Sequence, residues 1–155
     1  MRVEHILTKK GGHYVSIEPD RSLTEAIGLM MEHRFGSLLV MEGGRLESIV
    51  TERDVMRAVH QYGDGLKDIK VRDVMAPRLI TCHHDCTVDK AMDLMLHNET
   101  GNRVRHLPVM DGTELKGLIS IADIIEALLT ETLFENKLLK NYIKNWPEED
   151  EETLA

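Results

Sequence analysis

The sequence predicts an α+β fold, two copies of one β-α-β-β-α unit packed as a pseudo-twofold pair, with a further helix at the C-terminal end. Three observations carry that reading. A strand-to-helix junction occurs twice, GLISIADIIEALL from Gly117 to Leu129 and SIVTERDVMRAV from Ser48 to Val59, and a slide of 69 positions lays Thr51 on Ser120 and Asp54 on Asp123. The same slide lays LLVMEG, from Leu38, over LPVMDG, from Leu107; upstream, a slide of 65 superposes Val15-Ser16-Ile17 on Ile80-Thr81-Cys82. The difference of four is an insertion over residues 97–102 of the second copy. Punctuation kept this well means two copies of one supersecondary unit. In a chain of 155 residues a single copy is also short of core, so the two bury apolar faces against each other.

Taken in order, residues 1–12 read as a polar lead-in with apolar marks at Val3, Ile6 and Leu7. Tyr14 to Ile17 is a short strand ending at Pro19. Ser22 caps a helix with Glu25 in the capping-box position and Leu23, Ala26, Ile27, Met30 and Met31 on its inner face. Residues 37–41 and 46–50 are strands joined by the turn Glu42-Gly43-Gly44. A helix over 54–62 closes the copy, and Gly63-Asp64-Gly65 is the linker. The second copy repeats this with a turn at 71–75, a strand near 79–82, a helix capped by Thr87, strands over 107–110 and 115–120, and a helix entered at Asp123. The domain limits are 3–65 and 66–130. Beyond them, Phe134, Leu138, Leu139, Tyr142, Ile143 and Trp146 put an apolar face on a helix over 131–147, ended by Pro147; the acidic tail 148–155 is expected to be disordered.

Composition narrows the function. The formal net charge of −8 argues against nucleic acid as a partner. No apolar run is long enough for a membrane span and no signal peptide is legible, so a cytoplasmic protein is expected. Two cysteines, Cys82 and Cys86, are too few for a disulfide framework. The methionines Met30, Met31, Met92 and Met95 recur at helical spacing and read as core.

The hydroxyl–aspartate pair, Ser120 with Asp123 and Thr51 with Asp54, has a plain structural reading: the hydroxyl caps the first turn and the acid favours the positive end of the helix. Its occurrence at the same junction twice weakens that plain reading.

The order VSIEPDRSLTEAI, LLVMEGG and SIVTERD, then VRDVMAPRLIT, TVDKAM, RVRHLPVMDG and GLISIAD, resembles a tandem pair of cystathionine-β-synthase (CBS) domains, the Bateman pair. The likeness covers roughly residues 3–130 and is nearest to small bacterial stand-alone pairs described as related to inosine-monophosphate dehydrogenase. It implies a non-enzymatic sensor of an adenosine-containing nucleotide: AMP, ADP or ATP, with NAD and S-adenosylmethionine as further candidates. By position, it implies that Asp54 and Asp123 hold ribose hydroxyls with Thr51 and Ser120 beside them, and that Val15, Ile80 and Met75 line the adenine. It places the phosphate near Arg103, Arg105 and His106 in the second copy. The first copy departs from the pattern: Gly36 and Ser37 stand at the matching positions, Ser48 replaces the preferred glycine, and Arg53 is the nearest cation. The resemblance also implies disc-like homodimers, which would cover the apolar C-terminal helix, and leaves room for an effector protein.

Two alternatives stand beside the sensor. One is a structural dimerisation module with vestigial clefts, suggested by the degraded first copy. The other is an enzyme, for which no Ser-His-Asp or Cys-His arrangement and no Gly-rich phosphate loop speaks. The run Cys82-His83-His84-Asp85-Cys86 looks like a metal cluster, but alternate strand residues face opposite sides and zinc sites normally draw on two separated ligand pairs, so no metal is expected.

Overall fold

In the computed structural model of the protein, residues 1–145 are described. The element order is α1 (Val3–Lys10), β1 (Ser16–Ile17), α2 (Leu23–His33), β2 (Ser37–Glu42), β3 (Arg45–Thr51), α3 (Glu52–Tyr62), a 3₁₀ turn (Gly63–Asp68), α4 (Val71–Val74), β4 (Cys82–His83), α5 (Val88–Leu96), β5 (His106–Asp111), β6 (Glu114–Ser120) and α6 (Ile121–Lys144). The two copies give two three-stranded sheets, ordered β1-β2-β3 and β4-β5-β6. In each, a short parallel strand flanks one arm of an antiparallel hairpin. Even the irregularity repeats: the register shifts between Val40 and Met41 and again between Val109 and Met110.

Local chemistry accounts for the helices. The Ser22 and Thr87 side chains accept from the backbone N–H groups of Glu25 and Lys90 and so cap α2 and α5. Leu23, Ala26 and Met30 of α2 then meet Leu38, Val40 and Val50 of the first sheet, while Val88, Ala91 and Met95 of α5 meet Leu107, Val109 and Ile119 of the second. The strands' alternation places Leu39 and Ile49 on the opposite face of the first sheet, and both are buried there.

Three expectations need correction. The lead-in is a helix, because Val3, Ile6, Leu7 and Lys10 fall one turn apart; Val3 and Ile6 are buried in the second core. The linker Gly63-Asp64-Gly65 opens the 3₁₀ turn, whose Leu66, with Ile69 just beyond it, packs on the first core. Met31 is 75% exposed, since α2 turns only one narrow stripe inward. The closing helix of the second copy and the C-terminal helix are a single element, α6, with nothing between Asp123 and Lys144 to break the backbone ladder. Trp146, Pro147 and residues 148–155 lie outside the described residues.

The leading segments cross over. The Val3 N–H donates to the Cys86 carbonyl at 2.8 Å and the Glu4 N–H to that of His84 at 3.1 Å, tying α1 to the second unit. In the same manner the Val71 and Arg72 N–H groups donate to Arg21 and Pro19 at 2.9 Å, tying α4 to the first.

Candidate functional site

Strand β6 passes into α6 at Ser120, and the hydroxyl–aspartate pair closes that junction in both directions. The Ser120 Oγ accepts from the Asp123 N–H at 3.1 Å, and Asp123 Oδ2 accepts from the Ser120 N–H at 2.8 Å. Asp123 therefore enters its helix with one oxygen already engaged. That oxygen also takes Lys10 Nζ, from the last turn of α1, at 2.6 Å; Lys10 in turn donates to the Leu118 carbonyl at 3.0 Å. Burial raises the Asp123 carboxyl, but the bonds from Lys10 and Ser120 outweigh it and hold the group below its ordinary value.

Lys10 reaches this place because the chain runs very close to β6. A side-chain carbon on Gly117 would stand 2.9 Å from the Leu7 side chain and 3.3 Å from the Gly12 Cα; one on Gly12 would stand 2.9 Å from the Lys116 carbonyl. Only glycine fits at that crossing. The first copy solves the same crossing differently: buried Ser48 donates from Oγ to the Ala76 carbonyl at 2.6 Å.

The first junction has matching geometry and different partners. Asp54, only 9% exposed, accepts on Oδ2 from the Thr51 N–H at 2.8 Å and the Thr51 hydroxyl at 3.1 Å. Its Oδ1 is paired with Arg57 at 3.3 Å. Arg53, the cation anticipated beside Asp54, is exposed; Arg57 takes the place because three residues on is the neighbouring position along a helix face.

Register explains which predicted residues meet. His106 lies opposite Ser120 across β5–β6, as Ser37 lies opposite Thr51 across β2–β3. Burial lowers the His106 pKa first; Lys10 and Arg105 lower it further, while Asp123 and Glu52 pull it up. Lys10, Asp123 and His106 thus form one electrostatic cluster, and Glu52 brings the first residue of α3 into its field. The His106 proton therefore leaves below the usual histidine range, because the ring is partly desolvated beside two cations. Arg103 and Arg105 are exposed. Val15 and Met75 are half-buried against the first core, Ile80 is buried in the second, and Ser37 is buried.

Among the described residues, concavities open in at least two places. One, of about 270 Å³, is lined by Glu4, Leu7, Thr8, Gly12, His84 and Lys116, and the other, of about 600 Å³, runs from Ser16 to Gly44 beside α2. Neither takes in Asp54 or Asp123. The residues that sequence reasoning missed are Lys10 and Arg57. Lys10 was legible in principle: Val3-Glu4-His5-Ile6-Leu7 and Val71-Arg72-Asp73-Val74-Met75 share their apolar spacing at a slide of 68, which extends the repeat to the first residues.

Two stretches, residues 3–61 and 71–130, match the family described as CBS domain. The chain is 32% identical over 151 residues to the CBS domain-containing protein CBSX3, mitochondrial, of Arabidopsis thaliana, covering 92% of this chain and 71% of that one. Among solved structures, a CBS-domain containing protein from Agrobacterium tumefaciens superposes with a TM-score of 0.75 at 35% identity, over 82% of this chain and 98% of that one. The CBS domain pair of protein MJ0100, in complex with 5'-methylthioadenosine and S-adenosyl-L-methionine, shares the fold with a TM-score of 0.70 at 22% identity, over 84% of this chain and 98% of that one.

Proposed function

The chain belongs to the CBS-domain family, and from that premise we propose that it is a regulatory module whose second unit binds an adenosine-containing ligand, AMP, ADP, ATP or a related compound, without transforming it. The observation that carries this reading is the carboxylate of Asp123, fixed at a helix entrance by Ser120, held ionised, and flanked by Lys10 and His106. Such a carboxylate accepts vicinal ribose hydroxyls. The first N–H groups of α6 and the cations Lys10, Arg103 and Arg105 suit the phosphate beside it. That the MJ0100 pair was crystallised with two adenosine compounds agrees with the ligand class. Arg57 on Asp54 makes the first junction the weaker of the two.

Thermal unfolding in the presence of AMP, ADP, ATP, NAD and S-adenosylmethionine tests the proposal. A ligand at a hundred times its dissociation constant adds about 2.7 kcal/mol of stability. An unmoved transition with all five compounds rules the sensor out in favour of a dimerisation module, and turnover of any of them by the purified chain rules out the non-enzymatic part.

A second reading accompanies the first. Met56 and Val59 of α3 and Ile125, Leu129, Leu133, Phe134, Leu138 and Ile143 of α6 are all more than half exposed. An apolar surface of that extent on the chain's longest described helix supports a homodimer built through α6.

A further inference from the structure

The corner where β4 ends against α1 was read from sequence as a strand with its histidines on opposite sides. The strand stops at His83, however, and with the alternation gone the His84 ring comes back beside that of His83, the two centroids 4.3 Å apart. Asp111, at the end of β5, faces both: its Oδ1 is 3.7 Å from His83 Nε2 and its Oδ2 3.7 Å from His84 Nε2. One donor atom from each of the three lies within 4.8 Å of the others. The other nitrogen of His84, Nδ1, is engaged by Glu4 Oε2 of α1 at 3.0 Å.

The geometry points to a divalent transition-metal site, with His83 Nε2, His84 Nε2 and Asp111 as ligands and Glu4 orienting His84. His83 Nδ1 accepts from the Asp85 N–H at 3.2 Å in the metal-free chain, so binding the ion moves the His83 proton from Nε2 to Nδ1, gives up that bond and turns Nδ1 toward Asp85 Oδ2, 3.7 Å away. A tetrahedral ion bound at about 2.0–2.1 Å needs donors roughly 3.3–3.4 Å apart, against 3.7 Å for each imidazole–carboxylate pair and at most 4.8 Å among the three. Two imidazoles and a carboxylate select zinc, nickel, cobalt or copper over magnesium or calcium, which prefer oxygen throughout. A Glu4 carboxylate on the Nδ1–H fixes the tautomer that leaves Nε2 free to coordinate, the usual role of an outer partner. Asp85 adds negative charge close by, 3.5 Å from His84 Nδ1, partly offset by Arg2 at 3.7 Å. Three protein ligands leave a position open to water or a second molecule.

The first copy provides an internal control. Its corresponding residues are Glu18, Pro19, Asp20 and Glu42, and there the α4 residue Arg72 closes the corner on Asp20 at 2.6 Å. Where one unit has a finished ion pair, the other has two imidazoles converging on a carboxylate. Nothing in ribose or phosphate recognition at Asp123 uses these groups.

Titration calorimetry of the full chain, stripped with chelator and then given Zn²⁺, tests the site, with Co²⁺ absorption as a second readout. The expected results are one ion per chain and cobalt bands of nitrogen–oxygen coordination. Glu4→Gln should weaken binding about 10–100-fold, and the double variant His83→Ala with Asp111→Asn should weaken it further. His83 and Asp111 are each half exposed, so the metal-free double variant should melt as the parent does. Full affinity in the double variant overturns the proposal. So does the absence of binding in the parent, or a thiolate charge-transfer band that disappears with Cys86→Ser.

Discussion

Asp123 Oδ2 is asked to accept from both its own helix cap and Lys10. A ribose that takes the carboxylate must therefore displace or share Lys10, whereas a phosphate nearby gains from the same cation. Lys10→Met should consequently narrow the preference for AMP over adenosine: adenosine binds as well or better, and AMP loses roughly one charge-assisted contact, about 1.5–3 kcal/mol. Calorimetry with the two ligands checks it, and an unchanged ratio removes Lys10 from the site. At His106 the sign runs the other way from a stabilising ion pair. Its folded pKa is lowered, by burial foremost and by Lys10 and Arg105, against the pull of Asp123 and Glu52. The unfolded chain then binds the proton more readily, so stability falls as pH drops from about 6.5 toward the folded value. His106→Gln should flatten that part of the profile; denaturant midpoints at pH 7.5 and 5.5, compared between parent and variant, decide.

At the scale of elements, α1 and α6 depart most from their expected roles, for opposite reasons. The first is short and polar outside, yet Val3 and Ile6 fill the second core. Ile6→Ala should cost about 2–5 kcal/mol in urea unfolding, as for a core residue in mid-domain; a loss below about 0.5 kcal/mol would show α1 to be merely laid on the surface. The second is long and apolar on a face that its own chain leaves open. Leu133→Asp, at a position 60% exposed, should leave unfolding within about 0.5 kcal/mol of the parent while halving the mass seen by light scattering. An unchanged mass assigns the face to something other than a second copy. The strands and caps were legible because turn residues, caps and period-two apolar runs are local signals, repeated twice. Helix α1 was missed because three apolar residues on one turn-and-a-half do not stand out until a distant sheet covers them. The 130/131 break was drawn where the repeat ended, although no residue there ends a helix.

For the whole molecule, the repeat made the topology readable, and the second-copy motif marked the β6–α6 junction where Ser120 and Asp123 hold each other. It could not say which cations close on each aspartate, since Lys10 lies 113 positions from Asp123 and Arg57 only three from Asp54. That difference in partners makes the units unequal. One tight nucleotide per chain is expected. Asp123→Ala should weaken it by about 1.5–3 kcal/mol, and Asp54→Ala should leave it in place. Two equivalent binding events in calorimetry, or equal losses in the two variants, would contradict the inequality.

The crossed leading segments have a consequence for how the chain is synthesised. Residues 13–75 hold everything the first core uses, α4 included, whereas the second core is assembled from α1 and from chain made only after residue 75. Topologically, the first unit is an insertion within the second. As the polypeptide emerges, everything the first core uses is present while α1 is still unaccompanied, with Val3 and Ile6 bare until β6 and α6 arrive. A circular permutant that begins at residue 76 and joins the C-terminal end to residue 1 would make both units contiguous and spare α1 that wait.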